Sequence, residues 1–194
     1  MSRTHYPEAL RRLAQDHIDI RLALNALERE VNSVAQYHEA NSDVLGRGVQ
    51  YFAHFPKSYH HPIEESLVTK LKLRAPEAAA RGGGVAQHER IVEGIGELAM
   101  MMRNLFLDPP KWRLPFCASA RSFITLKRDH MRDEETVVFR LALEHLAEED
   151  WTEIDQASQK THSAWMNHPA RPVTGLLGLR NEGAVRASAA ARRR

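Results

Sequence analysis

An all-α fold, an antiparallel up-and-down bundle of four helices, is what this sequence predicts, on three observations. Apolar residues recur at threes and fours through four long stretches. No alternating pattern of useful length marks a strand. Short polar, glycine-bearing or proline-bearing segments separate the stretches, which folds neighbouring helices back on one another so that each buries one stripe.

The first helix is expected from Pro7 to about Gln36, with Leu10, Leu13, Ile20, Leu24, Leu27 and Val31 inward; Pro7 suits a first-turn position because its missing amide hydrogen costs nothing there. A polar loop near 38–43 leads to a second helix from about Val44 to Leu73, whose core positions are Tyr51, Phe52, Phe55, Tyr59, Leu67 and Leu71. Pro56 and Pro62 predict a kink or short break within it, since each removes a backbone hydrogen bond and crowds the preceding turn. The APEAAARGGG segment reads as a turn. A third helix follows from about Val85 to Asn104, burying Ile91, Ile95, Leu98 and Met102, and Asp108-Pro109-Pro110 stops it. The fourth covers Leu114 to His145, with Phe123, Leu126, Val137, Val138 and Leu141 inward. Asp150 and Glu153 then resemble a capping box that opens a short extra helix to about Ser163.

Composition narrows the function. With 194 residues, 43% of them hydrophobic, the chain supports one domain with a substantial core, expected over 1–165, and a flexible basic C-terminal tail over 166–194. Between Arg171 and Arg194 six arginines face one acid, a net +5, so the other residues sum to −3 of the overall +2. The folded part is therefore mildly acidic, and nucleic-acid binding stays a minor alternative without aromatic stacking or a recognition helix. No apolar run is long enough to span a bilayer and the first residues lack the apolar middle of a secretory signal, so a cytoplasmic protein is expected, with no membrane partner. The single cysteine, Cys117, excludes thiolate-cage zinc and iron–sulfur sites, and it has no nearby histidine to make it a nucleophile. Any metal must be held by nitrogen and oxygen, and the chain carries 11 histidines.

Two segments on different helices look alike: His60-His61-Pro62-Ile63-Glu64-Glu65 and His130-Met131-Arg132-Asp133-Glu134-Glu135. Each holds His-x-x-x-Glu-Glu followed by aliphatic residues. Residues four apart on a helix point the same way, so one imidazole and one carboxylate converge on a common centre. A single such pair is ordinarily an exposed ion pair. Here the other two long helices add His17 in line with Leu10, Leu13, Ile20 and Leu24, and His88 in line with Ile91 and Ile95. Four histidines and two glutamates on apolar stripes are costly to bury unless something satisfies them together, which metal ligation does. A carboxylate also bridges two cations. The met-rich run at Met100–Met102 reads as core filling rather than a soft-metal site.

At these motifs the chain resembles the hemerythrin-like HHE cation-binding domains, through LAQDHIDIRLALNALE, YFAHFPKSYHHPIEESLV, QHERIVEGIGEL and KRDHMRDEETVVFRLA. The resemblance implies an antiparallel four-helix bundle with a non-haem di-iron centre, two iron ions held by His17, His60, Glu64, His88, His130 and Glu134. It departs from the oxygen carriers of that family, where a second third-helix histidine stands in place of Val92 and an aspartate in place of Glu134. The nitrogen count is then one lower, which leaves a position open for reactive chemistry unless His61, Glu65 or Glu135 fills it or merely supports a ligand. Ferritin-like oxidases carry Glu-x-x-His and zinc hydrolases His-Glu-x-x-His; neither occurs here. The expected function is binding or sensing of oxygen, nitric oxide or peroxide, or iron buffering, in oxidative or nitrosative stress. The alternative is an enzyme that consumes peroxide or nitric oxide, or that delivers iron for repair of iron centres.

Overall fold

Helix is the only regular structure among the described residues of the computed structural model, which are 6–38, 41–80 and 84–166, with 84–86 and 166 described by their backbone alone. Four long arms carry it. The first is α1 (Glu8–Ala35). The second is α2 (Ser42–Phe55) continued through a π-helical turn (Pro56–His60) into α3 (His61–Arg74). A one-turn helix, α4 (Pro76–Ala79), precedes the third arm, α5 (Gly84–Leu107). The fourth is α6 (Pro109–Asp133), a second π-helical turn (Glu134–Val138) and α7 (Phe139–His145); α8 (Glu148–Met166) closes the described chain. None of these helices is long and apolar enough to cross a membrane.

Each arm packs on the next, the first on the second, the second on the third, the third on the fourth and the fourth back on the first. Side chains settle the direction of two contacts. Arg128 reaches Glu28 and Arg21 reaches Glu135, so position rises on α1 as it falls on the fourth arm. Likewise Glu30 accepts from the Asn41 amide while Asp16 accepts from His60. Along α1 the residues Leu10, Leu13, His17, Ile20, Leu24, Leu27 and Val31 form one buried stripe, and each large aliphatic side chain in it contributes about 1.5–3 kcal/mol of burial. The same core cluster holds Phe52, Phe116, Phe123 and Ile124 and, on α8, Trp151 and Ile154.

Several boundaries differ from those the sequence suggests. Where Pro56 and Pro62 predict a kink or break, the chain stays helical and widens: the His61 amide bonds to the Pro56 carbonyl, five residues back. Each proline lacks the amide hydrogen that an α turn would use, and a π turn absorbs the loss. The fourth arm repeats the device without a proline, the Phe139 amide bonding to the Glu134 carbonyl. α6 starts at Pro109 and not near Leu114, because the Asp108 side chain accepts from the Lys111 amide and caps a first turn that tolerates both prolines. Asp150 does not open α8; it sits inside its first turn, where it accepts from the Ala147 amide at 3.0 Å and pairs with Arg74 at 2.7 Å. α8 runs past Ser163 to Met166. Of the basic tail expected over 166–194, Met166 belongs to α8 and residues 167–194 lie outside the described residues.

Candidate metal centre

Both π turns lie beside the two His-x-x-x-Glu motifs, and they set which side chains face inward. In the second arm His60, His61 and Glu64 are all buried, whereas Glu65 keeps half of its side chain exposed. His60 with Glu64 is therefore the inward pair, and His61 joins it instead of pairing with Glu65. In the fourth arm His130, Glu134 and Val138 face the interior at successive fours. His17 on α1 and His88 on α5 complete the ring. All six residues expected from the sequence meet in one buried cavity, with His61 as a seventh.

The contacts sort these side chains into two groups that share the carboxylates. One oxygen of Glu64, Oε1, lies 2.6 Å from His60 Nε2 and 3.6 Å from His17 Nε2, while the other, Oε2, lies 3.2 Å from His88 Nε2. Glu134 mirrors this, with Oε2 at 3.4 Å from His17 Nε2 and Oε1 at 3.2 Å from His130 Nε2 and 3.8 Å from His88 Nε2. His61 stacks flat on His88, ring centroids 3.9 Å apart. Potential ligand atoms of His61, Glu64, His88 and His130 lie within 4.8 Å of one another, and so do those of His17, His60, Glu64 and Glu134. Each glutamate thus offers one oxygen to each side, the arrangement a pair of cations needs for carboxylate bridging.

The outer edges of three rings are held by acceptors. His17 Nδ1 donates to Glu135 Oε1 at 2.8 Å, and Arg21 bonds the same oxygen at 2.9 Å. His60 Nδ1 donates to Asp16 Oδ2 at 3.2 Å, and His130 Nδ1 to the Gln87 amide oxygen at 2.9 Å. With hydrogen on Nδ1, the lone pair of each ring sits on Nε2 and points into the cavity, the tautomer that metal-bound histidines use. Glu135 is thereby the orienting partner of His17 and not a member of the inner set.

Those inward atoms have nothing else to do. Nε2 of His17, His60, His61, His88 and His130, both oxygens of Glu64 and Oε2 of Glu134 are buried and, close as several of them lie to one another, none makes a hydrogen bond of good geometry among the described residues. So many orphaned donors and acceptors in one cavity are rare in a folded protein, because each costs about 1–3 kcal/mol. Five imidazole nitrogens and two carboxylates fit divalent iron or a similar cation of mixed nitrogen and oxygen preference.

Without a cation the cavity is held by protons. Burial disfavours charge on His17 and His88, yet the Glu134 and Glu64 carboxylates outweigh it and raise both to about 9. His60 is raised too, burial being overcome by Glu64 and Asp16. His61 falls to about 2 through burial and then the Lys127 charge, and His130 to about 4 mainly through burial. Glu64 is held well below the carboxylate range, because His60 and His17 overcome its burial. Imidazolium protons occupy the positions that cations compete for.

Three supporting residues are not among those expected from the sequence: Asp16 and Gln87, each one residue before a cavity histidine and without a pattern of its own, and Lys127, fully buried three residues before His130. The in-phase spacing of Lys127 with Ile124 and Met131 is the sign that it faces inward. Of the other described histidines, His38, His54 and His145 are exposed and His162 bonds the Tyr59 hydroxyl at 3.3 Å, away from the cavity; His5 and His168 lie outside the described residues. Cys117 is buried, its thiol donating to the Val31 carbonyl. Met100 is partly exposed, while Met101 and Met102 pack against the core. A groove of about 190 Å³, lined by Glu65, Val68, Thr69, Lys72 and Val138, reaches His88 and Glu134 from the surface.

Comparison with known proteins adds one match. A family model described as the hemerythrin HHE cation binding domain matches residues 8–142, which span α1 through most of α7 and include every cavity residue. No curated protein and no solved structure matches the chain.

Proposed function

The chain belongs to the hemerythrin HHE cation-binding domain family, and on that premise we propose that it is a non-haem di-iron protein that binds or senses a small molecule, oxygen, nitric oxide or peroxide. The observation that carries this reading is the cavity in which seven inward side chains have their ligand atoms unpartnered and two carboxylates face both ways. One iron would be held by His61, His88 and His130 and the other by His17 and His60, with Glu64 and Glu134 facing both. The opposed pairings of α1 with its neighbours support an antiparallel four-helix up-and-down bundle as the frame. Location in the cytoplasm and service under oxidative or nitrosative stress belong to the same reading.

His61 changes the argument from a missing nitrogen. With it the set holds five imidazoles, as many as the oxygen carriers of the resemblance, and the inequality now lies between the two positions: three histidines on one side, two on the other. Bound iron supplies redox chemistry toward dioxygen, peroxide and nitric oxide. The protein's own residues orient it: Glu135, Asp16 and Gln87 fix three imidazole tautomers, and Phe139, stacked on His17 with ring centroids 5.6 Å apart, makes one wall apolar.

Iron per chain, together with the visible spectrum after adding oxygen, azide, peroxide or nitric oxide, tests the proposal. About two irons with ligand-dependent absorption are expected. Alanine at His60 or at Glu134 should lower the metal content and the melting temperature together, since metal binding couples to folding. Full loading in both variants would show that the ligand set is wrong. The groove that reaches His88 and Glu134 favours a second reading, an enzyme that consumes peroxide or nitric oxide or delivers iron, and sustained peroxide loss catalysed by the loaded protein distinguishes it.

A further inference from the structure

One buried charged side chain is not used by the metal centre. Lys127 on α6 is wholly buried, and its ammonium has no hydrogen-bond acceptor among the described residues. Lysine is almost never enclosed to this degree without a partner, because an unpaired buried charge costs several kcal/mol. It lies three residues before His130 and therefore on the same face of the helix. Burial disfavours its charge and lowers its pKa, Glu64 and Glu134 draw it the other way, and Lys127 in turn helps to lower His61 and His130, all of them residues of the cavity.

We propose that Lys127 holds a small monovalent anion, of the class of azide, nitrite or hydroperoxide, in the cavity beside the metal pair, and so selects anions over uncharged diatomic molecules. The inference rests on the di-iron reading. Two divalent cations against Glu64 and Glu134 leave the cavity net positive before Lys127 is counted. The remaining acids that touch the rings are Asp16, committed to His60, Glu135, committed to His17 with Arg21, and Glu65, half-exposed beside His88. Nothing among the described residues then accepts from the Lys127 ammonium, and an anion from outside meets both needs: it accepts the unused N–H groups and offsets the excess charge. An uncharged ligand gains neither. The groove beside Glu65 and Lys72 opens a way in for a molecule of this size.

The test uses the full chain loaded with iron, as wild type, Lys127→Met and Lys127→Gln, and reads three quantities: iron per chain, azide affinity from visible absorption, and nitric oxide affinity. Replacing an unpaired buried charge by an apolar side chain of similar length relieves desolvation, so the methionine variant is expected to fold. Both variants should keep two irons, bind azide about ten to a hundred times more weakly and bind nitric oxide within about twofold of wild type. Equal azide affinities in all three proteins overturn the inference. Parallel loss of azide and nitric oxide binding also overturns it, because that makes Lys127 a packing residue, and loss of iron from both variants makes it a support of the metal. A wild-type chain that takes up no iron removes the di-iron reading itself, an outcome separate from full loading with unchanged azide binding.

Discussion

Adding iron(II) to the metal-free protein at pH 7.5 should release about two to three protons per chain, a number that follows from the cavity. His17 and His88, raised to about 9 by Glu134 and Glu64, are almost fully protonated there, and each must lose its proton before Nε2 can bind a cation. His60 is raised as well, by Glu64 and Asp16 against its burial, and adds to the release. His61 and His130, lowered to about 2 and about 4, are already neutral and release none. The sign follows directly: protons compete below about 9, so affinity climbs with pH and levels off above it. With two to three protons displaced, the apparent association constant should rise by about a hundredfold to a thousandfold per pH unit between pH 7 and 8.5. Anaerobic titration calorimetry in two buffers of different ionisation enthalpy counts the protons. Release of fewer than one proton, or an affinity flat from pH 7 to 9, would refute the picture of protons standing where cations bind.

Two further outcomes check separate parts of the site. His61→Leu removes one of three imidazoles from one iron position and leaves the other untouched, so iron content should fall from about two toward about one per chain while the visible response to azide is altered; an unchanged count of two would place His61 outside the ligand set. Val68→Trp puts a large ring in the groove over His88 and Glu134, and azide association with the loaded protein should slow by about tenfold in stopped-flow measurements, with the equilibrium affinity changed much less; an unaltered rate would mean that ligands enter elsewhere.

The two His-x-x-x-Glu repeats were legible because four-residue spacing on a helix converts directly into a shared direction. His17 and His88 were legible for a related reason, as polar intrusions in apolar stripes. What the pattern left open was the choice among His61, Glu65 and Glu135, since adjacent residues differ by about 100° on an α-helix and each has a plausible inward neighbour. The π turns decide it. By widening the helix at Pro56–His60, the second arm presents both His60 and His61 inward and turns Glu65 toward the groove, while Glu135 falls at the edge where it meets His17 and Arg21. Proline chemistry announces the first π turn only as a disruption, and nothing local announces the second.

By itself, then, the sequence determined the helical class, the order of the long helices and six of the seven inward donors, because these depend on periodicity and on residue chemistry along one chain. Only the tertiary structure decided how the donors divide. Two carboxylates facing both ways, three imidazoles against two, Asp16 and Gln87 behind their rings, and Lys127 enclosed without an acceptor are all relations between different arms. Such relations are set by the rotation of each helix about its own axis, which a shift of one residue in a π turn changes by about 100° and which no single-helix pattern records.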